Sequence, residues 1–252
     1  MQFTAYSTAD RRSEASFSGF ASAAHLKGGR RPAFHKVLWP AGPWPGRSLP
    51  WLWVKVSCMA RRICVFCGSS SGARPCYLAA AASLARQLVA RGIAIVYGGG
   101  NVGLMGALAD AALDAGGEVI GVMPRSLVEK DVAHRRLSDL RVVGSMHQRK
   151  ALMAELSDAF IALPGGYGTF EEFCEALTWT QLGLQRKPCG ILNVEGYYDP
   201  LLALFDRAVA EGFLRPVHRG MAISDSDPQS LIARLLGFEP PVADKWIDRK
   251  PA

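Results

Sequence analysis

The chain has 252 residues, of which 49% are hydrophobic and 20% are charged, a composition typical of a globular protein rather than a disordered one. Most of the net charge of +7 arises in residues 1–58, which carry eight Lys/Arg and two acidic residues. The other 194 residues carry 21 basic and 20 acidic residues. A nearly neutral body argues against nucleic acid as a partner. No stretch reaches the roughly 18 apolar residues of a membrane helix, so we expect no membrane partner either.

Residues 1–58 differ in composition from the rest of the chain. They contain four of the six Trp and five Pro, without a sustained helical or strand period. We interpret them as an unstructured leader, or as an extension upstream of a true start at Met59. A targeting peptide is the alternative, because the segment contains Arg and Ser and few acids. We expect residues 59–240 to form the single folded domain and residues 241–252 to form a tail.

Six cysteines are present, an even number that is compatible with disulfides. The chain is large and shows no clear secretory signal, however, so reduced thiols and a cytoplasmic location are the better interpretation. Cys64 and Cys67 have the spacing of a metal or redox pair. No second Cys/His pair completes a tetrahedral site, and we expect no metal.

From Ile63 onward, short apolar runs alternate with helical patterns. The apolar runs predict strands over residues 63–67, 93–97, 119–123, 159–163 and 189–193. The helical patterns cover residues 77–91, 102–115, 147–157, 169–184, 198–211 and 227–236. Fully apolar strands separated by helices are typical of a parallel sheet covered on both faces. The sequence therefore predicts an α/β, Rossmann-like, doubly wound single domain, with its ligand beyond the carboxyl ends of the strands.

A first glycine turn, Gly98-Gly99-Gly100, follows the second predicted strand and leads through Gly103 into a helix. The spacing matches the dinucleotide fingerprint, which also requires an acid at the end of the next strand. That strand ends instead in Pro124-Arg125, which argues against a nicotinamide cofactor. Glycines and a helix N-terminus still suit an anion, so the three glycines are candidate phosphate contacts. A tight turn without a ligand is the alternative.

A second glycine turn, PGGYGTFEE, spans Pro164 to Glu172 and again joins an apolar strand to a helix. We expect Thr169 to be the N-cap, with a hydroxyl that can also meet a phosphate. Glu172 then has the spacing of a capping box, in which it would only bond the N–H of the cap. Glu171 and Glu172 lie about 100° apart around a helix, so one can cap or face solvent while the other faces the cleft.

The segment MHQRK, residues 146–150, opens the helix before the strand that precedes the second turn. Arg149 and Lys150 are ordinary surface charges in one interpretation. Cations are disfavoured near the positive end of a helix, and an anionic ligand would offset that cost. His147 is interpreted as a capping or surface group.

PGGYGTFEE, MHQRK and GGGNVGLMG together resemble the LONELY GUY family, the cytokinin riboside 5′-monophosphate phosphoribohydrolases, whose members are often labelled lysine decarboxylases. The resemblance covers about Arg61 to Phe238. It implies a Rossmann-like homodimer that cleaves a purine nucleoside 5′-monophosphate, such as AMP or an N6-prenylated nucleotide, into the free base and ribose 5-phosphate. We expect no cofactor.

Carried over position by position, the resemblance implies that Glu172 and Arg149 are the catalytic pair. The implied substrate contacts are Gly166, Tyr167, Gly168, Thr169, Phe170 and Glu171, together with Lys150 and Thr178. A family glutamate falls on Asp131, whose side chain is shorter by one methylene. We assign Arg149 to orientation and charge stabilisation, because a guanidinium with a pKa above about 12 does not readily release a proton.

Two other functions compete with this interpretation. A non-catalytic Rossmann nucleotide carrier fits the glycine turns equally well, whereas the pairing of Arg149 with Glu172 favours an enzyme. A lysine decarboxylase requires a lysine that forms a Schiff base with pyridoxal phosphate. Lys150 is the only plausible candidate, and it lies beside the arginine expected to bind phosphate.

Overall fold

A computed structural model describes residues 62–130, 132–137 and 139–239. The predicted leader (1–58), the predicted tail (241–252) and Asp131 lie outside the described residues. The strands are β1 (Arg62–Phe66), β2 (Ala94–Tyr97), β3 (Val119–Pro124), β4 (Asp139–Val143), β5 (Ala159–Ala162), β6 (Cys189–Leu192) and β7 (Ala222–Asp225). The helices are α1 (Pro75–Val89), α2 (Gly103–Asp114), α3 (Arg125–Val128), α4 (Met146–Leu156), α5 (Tyr167–Gln181), α6 (Asp199–Ala210), α7 (Pro216–Arg219) and α8 (Pro228–Leu236).

The seven strands form one parallel sheet in the order β4-β3-β2-β1-β5-β6-β7. The chain builds outward from β1 through β2, β3 and β4, and then returns to the other side of β1 to lay down β5, β6 and β7. The strand order therefore reverses between β1 and β5. In open α/β sheets, ligands bind in the crevice at the carboxyl ends of the strands at such a switch point.

Two hydrophobic layers cover the sheet, and alternate side chains of β1 contribute to one layer and then the other. Ile63 and Val65 pack with α1, α2 and α8 on one face, while Cys64 and Phe66 pack with α4 and α5 on the other. Successive residues of a strand point to opposite faces, so a fully apolar strand requires a helix layer on each side. The predicted doubly wound α/β fold is confirmed.

The five strands predicted from apolar runs are present within one or two residues. The prediction missed β4 and β7, which are the two edge strands of the sheet. β4 has the sequence DLRVV and is only partly buried, so it contains no fully apolar run that marks it as a strand. Within the described residues, no helix has the length and apolar character needed to cross a bilayer.

Candidate active site

Three loops meet at the switch point, two of which are the predicted glycine turns. The third is the loop after β1, whose Gly68 lies between them: its N–H donates to the carbonyl of Pro164 (3.0 Å), and its carbonyl accepts from the N–H of Leu104 (3.1 Å). Gly103 has a φ of +59°, and a Cβ there would lie 2.4 Å from the backbone of Ser69. Both glycine turns therefore lie at the carboxyl edge of the sheet, where the ligand is expected.

A buried ion pair between Arg149 and Glu172 lies behind these loops. Arg149 is in the first turns of α4, and its Nη1 donates to Oε1 of Glu172 on α5 at 3.0 Å. Its Nε donates to the carbonyl of Val122 at 3.1 Å, which anchors the guanidinium to β3. The side chains are only 12% and 9% exposed. Two helices that both begin at the carboxyl edge of the sheet thus bring together the two predicted catalytic residues.

The environment of Glu172 makes its carboxylate more basic than an ordinary glutamate. Burial raises the pKa of Glu172, and the neighbouring Arg149 only partly offsets that rise. A carboxylate with a raised pKa is a better proton acceptor near neutral pH. Burial, and next Glu172, also raise the pKa of the nearby Cys67 thiol, which keeps it protonated and unsuited to act as a nucleophile.

The structure corrects the predicted N-cap of α5. Gly166, with extended φ and ψ, is the cap, and Tyr167 is the first helical residue, so Thr169 lies in the first turn. Thr169 is 4% exposed, and its Oγ1 occupies the space beside Gly165, where a Cβ would lie 2.1 Å away. Because Thr169 is not the cap, the capping-box alternative for Glu172 is wrong, and Glu172 bonds Arg149 instead.

Lys150 is committed to a second ion pair, next to that of Arg149. Its ammonium contacts the carboxylate of Glu171 and lies 3.1 Å from Glu175. Burial alone would lower the pKa of Lys150, but hydrogen bonds to Glu171 and Glu175 raise it. A Schiff-base lysine must present a neutral amine, so these residues do not fit pyridoxal phosphate. Lys150 and Glu171, both expected to contact substrate, contact each other in this structure.

The remaining predicted residues of α5 and its turn lie in different environments: some are exposed at the start of the helix, and others pack or bond further along it. Gly166, Tyr167 and Gly168 are exposed at the start of α5, and a Cβ at either glycine would meet nothing within 4 Å. Phe170 packs against Tyr197 and Tyr198. Thr178 lies two turns further along α5, where its hydroxyl donates to the carbonyl of Cys174 at 2.7 Å.

The first glycine turn is buried, in contrast to the second. A Cβ at Gly98 would lie 2.1 Å from Nη2 of Arg149, one at Gly99 would contact Leu140, and one at Gly100 would lie 2.7 Å from Met105. The three glycines therefore allow side chains, above all that of Arg149, to approach the backbone closely. His147 is exposed, and Ser145 caps α4 by accepting from the N–H of Gln148 (3.2 Å).

The sequence prediction missed two tyrosines that hold the second glycine turn. The Tyr197 hydroxyl donates to the carbonyl of Gly165 at 2.5 Å, and the buried Tyr198 hydroxyl donates to the carbonyl of Leu163 at 2.7 Å. The two bonds fix the backbone on either side of Pro164, just before the turn enters α5. Two adjacent tyrosines after a strand were the available signal, but which carbonyls they reach depends on tertiary packing. Among the described residues, no group of three or more His, Cys, Asp or Glu side chains is placed to hold a metal ion.

The fold and the site together define a Rossmann-like α/β protein with a buried Arg–Glu pair beside a glycine turn at the switch point. A family model described as possible lysine decarboxylase matches residues 105–235. A probable cytokinin riboside 5′-monophosphate phosphoribohydrolase of Oryza sativa is 55% identical over 180 residues, covering 71% of this chain and 79% of the relative. A cytokinin riboside 5′-monophosphate phosphoribohydrolase of Arabidopsis thaliana is 51% identical over 180 residues, covering 71% and 83%. The chain belongs to this family, LONELY GUY, as the motifs predicted.

Solved structures support the fold alone. A molybdenum cofactor carrier protein of Chlamydomonas reinhardtii is similar with a TM-score of 0.52 at 22% identity, covering 68% of this chain and 93% of that protein. A molybdenum cofactor binding protein of Rippkaea orientalis has a TM-score of 0.53 at 25% identity, with the same coverage. Similarity at this level establishes a shared chain topology. It carries no information about function, which is argued from the residues of the site.

Proposed function

We propose that the protein hydrolyses the N-glycosidic bond of purine nucleoside 5′-monophosphates of the cytokinin type, releasing the free base and ribose 5-phosphate. The observation that carries this proposal is the buried Arg149–Glu172 pair, held at the switch point directly beside a glycine turn that opens a helix. The names of the relatives support the same reaction. Water supplies a hydroxyl to C1′ of the ribose, the C1′–N bond breaks, and the base leaves with the bonding electrons and takes up the proton of the water.

The second glycine turn is assigned to the 5′-phosphate and ribose. The first residues of α5 carry N–H groups without helical partners, and the helix dipole is positive there. The open space over Gly166 and Gly168 leaves room for phosphate oxygens, and an exposed backbone N–H group at a helix start is a suitable donor. Tyr197 and Tyr198 bond the carbonyls of Gly165 and Leu163, so the turn is held in this shape by the protein itself.

Glu172 is assigned to the sugar. Breaking the bond to the base leaves positive charge on the ribose, which an adjacent carboxylate stabilises, and the same carboxylate can hold a ribose hydroxyl or activate water. Acid–base help of this kind is worth about 10²- to 10⁴-fold in rate. Arg149 orients the carboxylate and stabilises negative charge. Lys150, Glu171 and Thr178 are assigned to the outer part of the site, where the ammonium of Lys150 keeps one donor beyond those directed at Glu171 and Glu175.

The protein is further proposed to act as a cytoplasmic homodimer, with residues 59–240 carrying the activity. The relatives align over about the length of that segment. Tyr167, Leu184 and Phe213 are 93%, 73% and 88% exposed, and we assign these apolar side chains to the surface that meets the second copy. The cysteines in the described part of the chain are free thiols, in keeping with a reducing compartment. Sedimentation analysis of the full chain tests the dimer.

Product analysis tests the reaction, and a comparison of substrates tests the base. Chromatography of the protein incubated with AMP and with N6-isopentenyladenosine 5′-monophosphate is expected to show ribose 5-phosphate. The ratio of kcat/KM for the two nucleotides then identifies the preferred base. Tight binding of both nucleotides without ribose 5-phosphate would support the non-catalytic carrier instead.

Activity is expected to fall on the acid side at a higher pH than an ordinary glutamate would give. As pH falls through the raised pKa of Glu172, the carboxylate takes up a proton and ceases to stabilise the sugar. The acid limb of kcat/KM reports the pKa of the free enzyme, so it should lie above about 4.3, the value of an unperturbed glutamate. A limb at or below that value would contradict the assignment. The same shift favours folding below the unfolded pKa, and this contribution is lost as pH rises through the raised value.

Substituting Gly98→Ala is expected to lower kcat by about 10- to 100-fold, because a small misplacement of a catalytic group has effects of this size. The added Cβ would overlap Nη2 of Arg149, whose Nε and Nη1 are already held by Val122 and Glu172. Steady-state kinetics with AMP measure the loss. Gly220→Ala is the matched control, because a Cβ there meets only ordinary contacts at 3.6 Å or beyond. Equal kcat for Gly98→Ala and wild type would contradict this account of Arg149.

A further inference from the structure

The buried His134, which is separate from the Arg149–Glu172 pair, lies in a segment that bonds to the first glycine turn. The segment Val132–His134, here called the clasp, lies antiparallel to that turn through a bridge between Gly100 and Ala133. The N–H of His134 donates to the carbonyl of Gly99 (2.9 Å), and the N–H of Asn101 donates to the carbonyl of Val132 (3.0 Å). The clasp therefore engages the turn on both sides of Gly100.

The His134 side chain fastens the clasp to α2. Its imidazole is 5% exposed, with Nε2 at 3.1 Å from Oδ1 of Asp110, while Nδ1 accepts from the N–H of Arg136 at 3.3 Å. Because Nδ1 is an acceptor, the ring proton is assigned to Nε2 and is donated to Asp110. A buried imidazole bonded at both nitrogens has a fixed orientation, and α2 begins immediately after the turn, so the clasp and the turn share one rigid support.

The first glycine turn, in the position fixed by the clasp, contacts the predicted catalytic pair. The backbone at Gly98 leaves just enough room for Nη2 of Arg149, and Nη1 of the same guanidinium bonds Glu172. A shift of the turn by a fraction of an ångström would change its contact with Nη2, and so the position of the guanidinium relative to Glu172. Interiors are close-packed and transmit such shifts.

We propose that His134 is a positioning residue for the hydrolysis reaction: through Asp110 it holds the clasp, and through the clasp it holds the first glycine turn against Arg149. This inference rests on the proposed function for its effect on turnover, although the clasp itself is independent of it. His134 does not touch the reacting atoms in this account, so its substitution should alter kcat while leaving substrate affinity nearly unchanged.

The test compares His134→Phe with His134→Gln in the full chain. Phenylalanine removes both ring hydrogen bonds, and we expect kcat for AMP to fall about tenfold, as for a slightly misplaced catalytic group, with KM within about threefold. The hydrogen of the backbone N–H of Asn101 should exchange with solvent markedly faster, because the hydrogen bond from this N–H to the Val132 carbonyl is loosened. Glutamine places an amide donor near the position of Nε2, and it should restore most of kcat and of the exchange protection.

Controls separate this role from general stability and from the reaction itself. Asp114→Asn removes the exposed contact of Arg136 with Asp114 and should leave both readouts at wild-type values, because surface pairs contribute little. Should His134→Phe fail to fold, Asp110→Leu removes the same bond from the α2 side, together with the half-exposed Arg136–Asp110 ion pair, and is expected to give the same changes. Unchanged kcat and unchanged exchange at Asn101 in these variants, or no recovery with glutamine, would overturn the proposal. Wild-type protein that cleaves no nucleotide refutes the proposed function, while faster exchange at Asn101 would still report the clasp.

Discussion

Replacing Glu172 with glutamine is expected to reduce kcat for AMP by about 10²- to 10⁴-fold, the range over which a positioned acid–base group contributes. The amide has nearly the same shape and can still accept a hydrogen bond from Arg149, so the substitution removes the negative charge and the basicity with little change in packing. The cationic sugar then loses its stabilising carboxylate. Rates of adenine release measured under saturating AMP give the effect directly.

Glu175→Gln is the matched control for this substitution. Glu175 is on the same helix, is also paired with a basic residue of α4, and lies 3.1 Å from Lys150. It is not assigned to the sugar, so we expect a loss of no more than a few-fold. The thermal midpoint of both variants should stay within about 5 °C of wild type, since one lost interaction shifts a domain of this size by a few degrees. Equal losses for the two variants would show that Glu172 acts only through the fold.

Replacing Arg149 with lysine is expected to lower kcat/KM by about 10²-fold or more, comparable to the loss of one donor that stabilises developing charge. The guanidinium reaches the Val122 carbonyl and Glu172 at once because its donors have a fixed planar geometry. The ammonium of lysine is a point charge on a flexible stem and cannot reproduce two such directions. The substitution keeps the charge, so the loss isolates geometry. Kinetics with AMP at several concentrations provide the measurement.

Arg149→Met separates charge from geometry. Arg149 lowers the pKa of Glu172 against the effect of burial, so removing the cation should move the acid limb of kcat/KM to higher pH, whereas Arg149→Lys should move it less. Lys150→Met is the control for loss of a neighbouring cation, and we expect a smaller decrease in activity because Lys150 is paired with Glu171 and Glu175. An Arg149→Lys variant with wild-type kcat/KM would refute the orienting role.

Apolar runs predicted the interior of the sheet, because a parallel strand covered on both faces must be apolar throughout. Five strands are buried on both faces and have apolar sequences throughout, namely β1, β2, β3, β5 and β6. β4 and β7 are edge strands, whose polar residues face solvent or pair locally, as Asp139 does with Arg141. The order of the strands follows from which helix covers which face, and that depends on contacts between segments far apart in the sequence.

Features of the site that depend on residue type and spacing were predictable from the sequence. Features that depend on contacts between separate elements were less so. The family motifs implied that Arg149 and Glu172 act as a pair, and the structure brings the two side chains within 3.0 Å; their catalytic role stays a prediction. The expected cap at Thr169 was wrong because the helix begins two residues earlier, at Tyr167. The pairing of Lys150 with Glu171, the tyrosines behind the second turn and the clasp all depend on the packing of separate elements.

The decisive experiment incubates wild type and Glu172→Gln with AMP at equal concentrations of folded protein and quantifies the adenine and ribose 5-phosphate released. We expect equimolar adenine and ribose 5-phosphate from wild type, and a rate lower by about 10²-fold or more from the variant. Adenosine, which lacks the 5′-phosphate, should be a much poorer substrate. Equal rates for wild type and variant would refute the role of Glu172, and no ribose 5-phosphate from wild type with any purine nucleoside 5′-monophosphate would refute the proposed hydrolysis.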